Sequence, residues 1–378
     1  MEKTYGIREY FADVETVEGH NGYYFSVTEA LTIVILGSFC GLRNCNLIHQ
    51  WAANAGVAAM LREHFGIEKV PSYYWLLCLL KLIKPESLNR CFMRWTQSFL
   101  PDGKKALTIS FDGKAIRSTG KMDAYEKPLH IVSAHIAQLG ITVGQRTVDE
   151  KSNEIPAVRE LLALLNVKGC MIVADALHCQ KETAIAIVEA EADYLLSVKD
   201  NQKNLHNDLM DYVQDDELRK TMVTCTKREK SRDRIEKRTA FVTNDIGWLE
   251  DCEDWAGLAC IGAINTQFTT KKGTTNEWHY YISSRKLSAK DLLEQARCEW
   301  SVETMHWLLD MHFGEDYCRI QDEDVQQSLN IIRKIALNSI KLYKEKSNSK
   351  LPLSKIMFAS LLDFHNLLDI LVYDCLEN

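Results

Sequence analysis

The chain has 378 residues, 46% of them hydrophobic and 26% charged, with a formal net charge of -7. That length supports a core needing no covalent staples, with several domains favoured over one, and the composition is ordinary for a soluble globular protein. The acidic total argues against a nucleic-acid partner, and the most apolar N-terminal stretch, Ala30 to Cys40, is too short to span a bilayer.

No basic region or signal-peptidase site precedes that stretch, so a cytoplasmic location is expected. The 12 cysteines are scattered from Cys40 to Cys375 without a CxxC pair or a Cys/His cluster at finger spacing. They read as reduced, small buried hydrophobes rather than as a disulfide framework or zinc ligands.

The first hundred residues read as helical. FSVTEALTIVILGSFCGL offers Ser26 as an N-cap with Glu29 three residues on, a capping-box pattern before an apolar run. VPSYYWLLCLLKLIKPESLNRCFMRWTQSF starts after Pro71 with Ser72 as cap and pauses near Pro85. This region carries no catalytic signature, and its Trp and Tyr residues read as core, with DNA contact as the alternative.

After Pro101, Asp102 and Gly103 the pattern turns to strands. ALTISFDGKAI, LHIVSAHIAQ and ITVGQRTVD suggest a three-stranded meander. EIPAVRELLALLN then has helical spacing, CMIVAD is a short buried strand, KETAIAIVEAEA a helix and DYLLSVK a strand. The result is an α/β fold with a mixed sheet and covered faces. From Asn201 to Trp278 a polar helix, NLHNDLMDYVQDDELRK, leads into a basic strip and the β-like pieces RTAFVTN, GLACIGAINTQFTT and EWHYYISS, which read as a strand-rich insertion. Helix resumes at Ser288 and is expected to run to about Phe313. A second amphipathic helix covers NIIRKIALNSIKLYK, and KEKSNSK resembles a linker.

Asp112 and Asp175 each end an apolar run, where strands stop, and Glu303 lies in the Trp/His-rich helical stretch EWSVETMHWLLD. Taken singly, either aspartate reads as a turn or cap residue. Together with a helix-borne glutamate they suggest carboxylates that hold divalent cations for phosphoryl transfer, Mg2+ being the expected ion and Mn2+ a substitute. By three- and four-residue spacing Glu303 shares a helix face with Glu299, Trp300, His306, Trp307 and Asp310. On the competing reading the tryptophans pack inward and the acids form ordinary salt bridges.

The charge distribution qualifies the acidic total. Arg219 to Arg238 holds nine Lys/Arg against three Asp/Glu, and Ile331 to Ile356 holds seven against one. Such strips can neutralise phosphates inside an acidic chain, because screening confines charge effects to about 10 Å; solvated helix faces are the alternative.

DGK at 112–114, VDEKSNEIPA at 148–157, ADALHCQKE around Asp175, ADYLLSVKDNQ at 192–202, YYISS at 280–284, WSVETMHWLLDMHFGED at 300–316 and IRKIALNSIK at 332–341 follow one another in an order that resembles the DDE transposases of bacterial insertion sequences. The similarity is to the ISAs family, which includes the H-repeat-associated proteins, and it covers most of the chain. It implies a ribonuclease H-like mixed sheet with flanking helices at 101–345, with the strand-rich insertion at about 203–278. A helical associated domain at 1–100 and a helical tail at 346–378 complete the expected organisation.

By that resemblance Asp112, Asp175 and Glu303 are the catalytic and metal-binding triad, and Lys151, Ser152, Asn153 and Glu154 lie near the active centre. RDRIEKR resembles the family's HGRIE-type segment, which implies DNA contact by Arg234, Lys237 and Arg238 and adds Arg232; Lys114, Arg117, Lys151 and Arg319 are the further basic residues expected at DNA. Asp233 stands where the family usually has glycine. Glu299 precedes Trp300, and Thr304 follows Glu303, where the family usually reads HWxIEN.

The implied activity is Mg2+-dependent cleavage at element ends and joining of the freed 3' hydroxyl to target DNA, by a homodimer on double-stranded DNA, in the bacterial cytoplasm at the nucleoid. The alternatives are a domesticated endonuclease that cuts without joining, and a DNA-binding regulator with decayed catalysis.

Overall fold

The computed structural model describes residues 6–17, 25–100, 107–117, 128–148, 154–231, 234–271 and 273–372. The N-terminal region is helical as expected. It comprises α1 (Gly6–Phe11), α2 (Val27–Phe39), α3 (Cys45–Ala52), α4 (Ala55–Phe65), α5 (Tyr73–Lys81) and α6 (Pro85–Gln97). Ser26 and Glu29 form the reciprocal capping box on α2, an arrangement worth about 1 kcal/mol, and Ser72 caps α5.

The sheet follows in chain order. It starts with β1 (Thr108–Ala115), β2 (His130–Ile136) and β3 (Ile141–Val148), then α7 (Glu154–Leu164), β4 (Met171–Ala174), α8 (Lys181–Glu189) and β5 (Asp193–Val198). Helices α9 (Lys203–Gln214) and α10 (Asp216–Thr221) lead into β6 (Val223–Ser231), β7 (Arg234–Thr243), β8 (Cys260–Thr270) and β9 (Gly273–Ser283). The chain closes with α11 (Ala289–Cys298), α12 (Trp300–Phe313), α13 (Glu323–Lys346), α14 (Leu353–Leu362) and α15 (Phe364–Val372).

All nine of these strands form one mixed sheet in the order β3-β2-β1-β4-β5-β9-β8-β7-β6. β1 runs antiparallel to β2 and parallel to β4, β4 is parallel to β5, and β9 returns antiparallel on β5. The strand-rich segment after α9 therefore extends the main sheet rather than forming a separate layer. The basic strip itself supplies β6 and the start of β7, the terminal hairpin, which sequence reading left without a first strand.

The expected single helix from Ser288 to Phe313 is two helices, broken at Glu299. The Cys298 carbonyl accepts hydroxyl hydrogen bonds from Ser110 at 2.8 Å and Ser301 at 2.6 Å, the kind of side-chain insertion that kinks a helical ladder. One continuous apolar core runs from Phe11 through α2 and β1 to Leu371, so N-terminal helices, sheet and C-terminal helices are packed on one another. Helix α13 passes through its centre, carrying fully buried Ile332, Ile335 and Ile340. No helix among the described residues is long and apolar enough to cross a membrane.

Candidate active site

β1 and β4 pair in parallel register, Thr108 opposite Met171 and Phe111 opposite Ala174. Asp112 and Asp175 are the next residue on each strand path, and neighbouring strands lie about 4.8 Å apart. Side chains alternate between faces with period two. On β4, Met171 and Val173 join the apolar cluster containing Leu292 and Leu293 of α11, whereas Ile172 and Ala174 face the larger core. On β1 the Ser110 hydroxyl reaches the α11–α12 junction and lies 3.1 Å from Ser301 Oγ. Asp112, two residues on, shares that face, and its Oδ2 lies 3.5 Å from His306 Nε2 of α12. Asp175 is extended (φ -67°, ψ 174°), two residues beyond Val173. The α12 helix thus lies over the strand bearing Asp112, with Glu303 one turn from His306.

Electrostatics link the carboxylates. Burial pushes Glu299 up to about 7, and Asp175, Glu303 and Asp112 add to the rise against the opposing charge of Lys199. A glutamate that resists ionising chiefly because it is buried, and further because three other carboxylates face it, lies in a region of excess negative charge. Hard oxygen donors around such a region suit a divalent cation. Among the described residues no three His, Cys, Asp or Glu side chains are already gathered as a metal cage. Asp175 also performs the cap role weighed for it, its Oδ1 accepting the Leu177 N–H at 3.1 Å.

On the opposite face of β1 lies a cluster that strand patterning did not reveal. Glu154, the first residue of α7, is buried with Oε1 2.7 Å from His130 Nε2. Its Oε2 is 3.8 Å from His178 Nε2, which is 3.9 Å from Asp175 Oδ1. Burial lowers the His178 pKa while Asp175, Glu154 and Asp112 oppose the shift. His178 thus lies between Glu154 and the Asp175 turn, within 4 Å of each carboxylate. The glycine of DGK has a steric reason as well, since a Cβ at Gly113 would sit 2.5 Å from the Glu154 carboxyl carbon.

The helix face expected around Glu303 is solvent-facing at both tryptophans. Trp300 is 57% and Trp307 56% exposed, which overturns the inward-packing alternative, while His306 is buried. Thr304 bonds back to the Trp300 carbonyl at 3.2 Å.

The expected DNA contacts separate into groups. Arg234 and Arg238 share one face of β7, both paired with Glu236; Arg234 lies 4.4 Å over Phe268 and Arg238 5.7 Å over Trp300. Lys237 points to the other face, and among the described residues no ion pair holds it. Arg117 and Arg319 are exposed. Lys114 departs from expectation: its ammonium is held by Asp310 at 2.6 Å and Glu315 at 2.7 Å. Burial works against its charge, but Glu315 and Asp310 outweigh it and raise the pKa. Lys151, Ser152, Asn153, Arg232 and Asp233 lie outside the described residues.

The second basic strip divides, because Arg333 and Lys334 are buried in α13 whereas Lys346, Lys350 and Lys355 are exposed. Lys334 donates to Ser133 Oγ at 2.8 Å and Gln145 Oε1 at 2.7 Å.

The model of the transposase DDE domain matches residues 103–339, and that of its associated region, DDE_Tnp_1-associated, matches 8–96. "Putative transposase YncI" of Escherichia coli O157:H7 is 33% identical over 275 residues, 68% of each chain. "H repeat-associated putative transposase YhhI" of Escherichia coli K12 is 31% identical over 286 residues, 74% of this chain and 75% of that one. The cryo-EM structure of the piggyBac transposase synaptic complex with hairpin DNA is similar with a TM-score of 0.45 at 9% identity, covering 91% of this chain and 73% of that chain.

Proposed function

This chain belongs to the transposase DDE domain family, and on that premise we propose that Asp112, Asp175 and Glu303 are its catalytic triad in a ribonuclease H-like core. The observation that carries the reading is the parallel β1–β4 register, which brings the two aspartates side by side on the face covered by α12. The reaction is cleavage of a DNA strand at an element end, followed by attack of the freed 3' hydroxyl on a target phosphodiester.

Asp112, Asp175 and Glu303 would hold the divalent cations, Mg2+ or Mn2+, which supply activation of the attacking oxygen and charge stabilisation at the leaving oxygen. The protein's part is positioning. Ser110 and Ser301 tie α12 to β1 and so set where Glu303 stands relative to Asp112. His306 stands beside Asp112, and His178 lies between Glu154 and the turn that carries Asp175.

Duplex DNA lies along the site, with Arg117, Arg234, Lys237, Arg238 and Arg319 toward its phosphates, and two copies of the chain hold two ends in the bacterial cytoplasm. A strand-transfer assay with labelled element ends and a supercoiled target tests the proposal. Joined products support it, whereas cleavage without joining reduces the activity to an endonuclease.

A further inference from the structure

A cavity lies on the far side of α12 from its first turn. It has a volume of about 550 Å³, within the ~300–1,000 Å³ range of small-ligand sites, and is walled by α3, the start of α5, the turn after α12 and α13. Three arginines line it, Arg43, Arg319 and Arg333, and no Asp or Glu does. In a chain of net charge -7, a cavity whose only charged lining residues are arginines is unexpected for a merely structural cleft.

Arg333 is the informative member. It is 5% exposed, yet among the described residues no hydrogen bond or ion pair holds its guanidinium. Glu315, which feels its charge, is already committed to Lys114 at 2.7 Å and Asn330 at 2.5 Å. The Arg333 nitrogens are not among the buried side-chain atoms left without a partner, so they reach the solvent of the cavity, where the acceptor oxygens of a ligand can take the place of water. Arg43 is pinned by the Met311 carbonyl at 2.6 Å and the His312 carbonyl at 3.2 Å, so its charge too is unneutralised by an acid. Arg319 is exposed at the mouth. Two tyrosines stand at the same opening, Tyr317 at 79% exposure and Tyr73 at 44%.

We propose that this cavity binds the phosphate of a nucleotide, with the Arg333 and Arg319 guanidinium groups taking its oxygens and Tyr317 and Tyr73 offering faces to the base. Guanidinium forks match phosphate geometry, and tyrosine rings stack on bases without regard to sequence. The cavity contains none of the triad residues and shares only Arg319 with the proposed DNA path, and its chemistry does not depend on the proposed cleavage. Taking a DNA strand as the source of the nucleotide rests on the proposed function; a free nucleotide is the other source.

The test uses the full chain in metal-free buffer, so that no cleavage contributes. Thermal shift and calorimetric titration follow inorganic phosphate, thymidine 5'-monophosphate and thymidine. The expected result is binding of phosphate and more tightly of the nucleotide, with none of thymidine. Arg319→Ala and Tyr317→Ala should each weaken nucleotide binding, Arg319→Ala by about tenfold, and Arg333→Gln should abolish it with an unchanged circular dichroism spectrum. Should Arg333→Gln not fold, the two exposed variants carry the result. No phosphate-dependent response in the wild type, or equal responses in wild type and variants, overturns the site. Displacement of bound nucleotide by unlabelled DNA assigns the phosphate to a strand; retention of the nucleotide against DNA assigns it to a free nucleotide. Loss of cleavage in triad variants would leave this binding intact, so the two proposals fail separately.

Discussion

Glu154 Oε1 lies 2.7 Å from His130 Nε2, and the same carboxyl group fills the space that a side chain at Gly113 would need. The residue after the first aspartate is thus fixed by a glutamate 41 positions later in the chain. Gly113→Ala should displace Glu154 from His130 and destabilise the fold by about 1–3 kcal/mol. The double variant Gly113→Ala with Glu154→Ala should recover part of that loss. Chemical denaturation of the four proteins in the cycle measures the coupling; additive losses would show that the two residues do not compete for the space.

Glu299 gives a pH signature. Its folded pKa is about 7 against an ordinary 4.5, so between those values the folded state binds more protons than the unfolded state. Stability from this group is therefore present at low pH and is lost as pH rises through 7. Glu299→Gln should melt higher than the wild type at pH 8 in metal-free buffer, with the advantage shrinking toward pH 5. A constant difference across that range would remove the carboxylate crowding from the account.

Lys334 has the opposite slope. Burial lowers its pKa from 10.5 to about 7, with Glu315 opposing the fall. The unfolded state then binds more protons between pH 7 and 10.5, and stability contributed at this residue rises with pH over that window. Lys334→Met, which replaces the buried amine by an apolar side chain of similar length, should flatten that rise in melting temperature. The loss of bonds to Ser133 and Gln145 should show as a pH-independent offset.

Lys237 stands on β7 without an ion pair among the described residues, whereas Glu236 holds Arg234 and Arg238. If DNA phosphates lie along this hairpin, Lys237→Ala should lower the slope of log affinity against log salt by about 0.9, the share of one released counterion. Fluorescence anisotropy of a labelled duplex across salt concentrations reads it directly. An unchanged slope would take Lys237 out of the interface.

Much of the fold around the candidate site could be read from the sequence because it sits where patterning is strongest. The apolar runs ending at Asp112 and Asp175 are buried parallel strands, and Ser26, Ser72 and Ser288 cap the helices that follow them. The helix break at Glu299 was hidden because it depends on the Ser110 hydroxyl, which is remote in sequence from the Cys298 carbonyl it reaches. The Glu154–His130 pair was hidden for the same reason, since His130 sits in an ordinary apolar strand pattern. Charge counting failed at α13, where Arg333 and Lys334 face inward and find uses that a linear count cannot distinguish from a solvated face.

The most direct test is nicking of a duplex carrying the element end, with Mg2+ present, by the wild type and by Asp112→Asn, Asp175→Asn and Glu303→Gln. Each variant should keep the wild-type circular dichroism spectrum and lose at least about 10²-fold in rate. A folded variant at any of the three positions that nicks at the wild-type rate would contradict the triad.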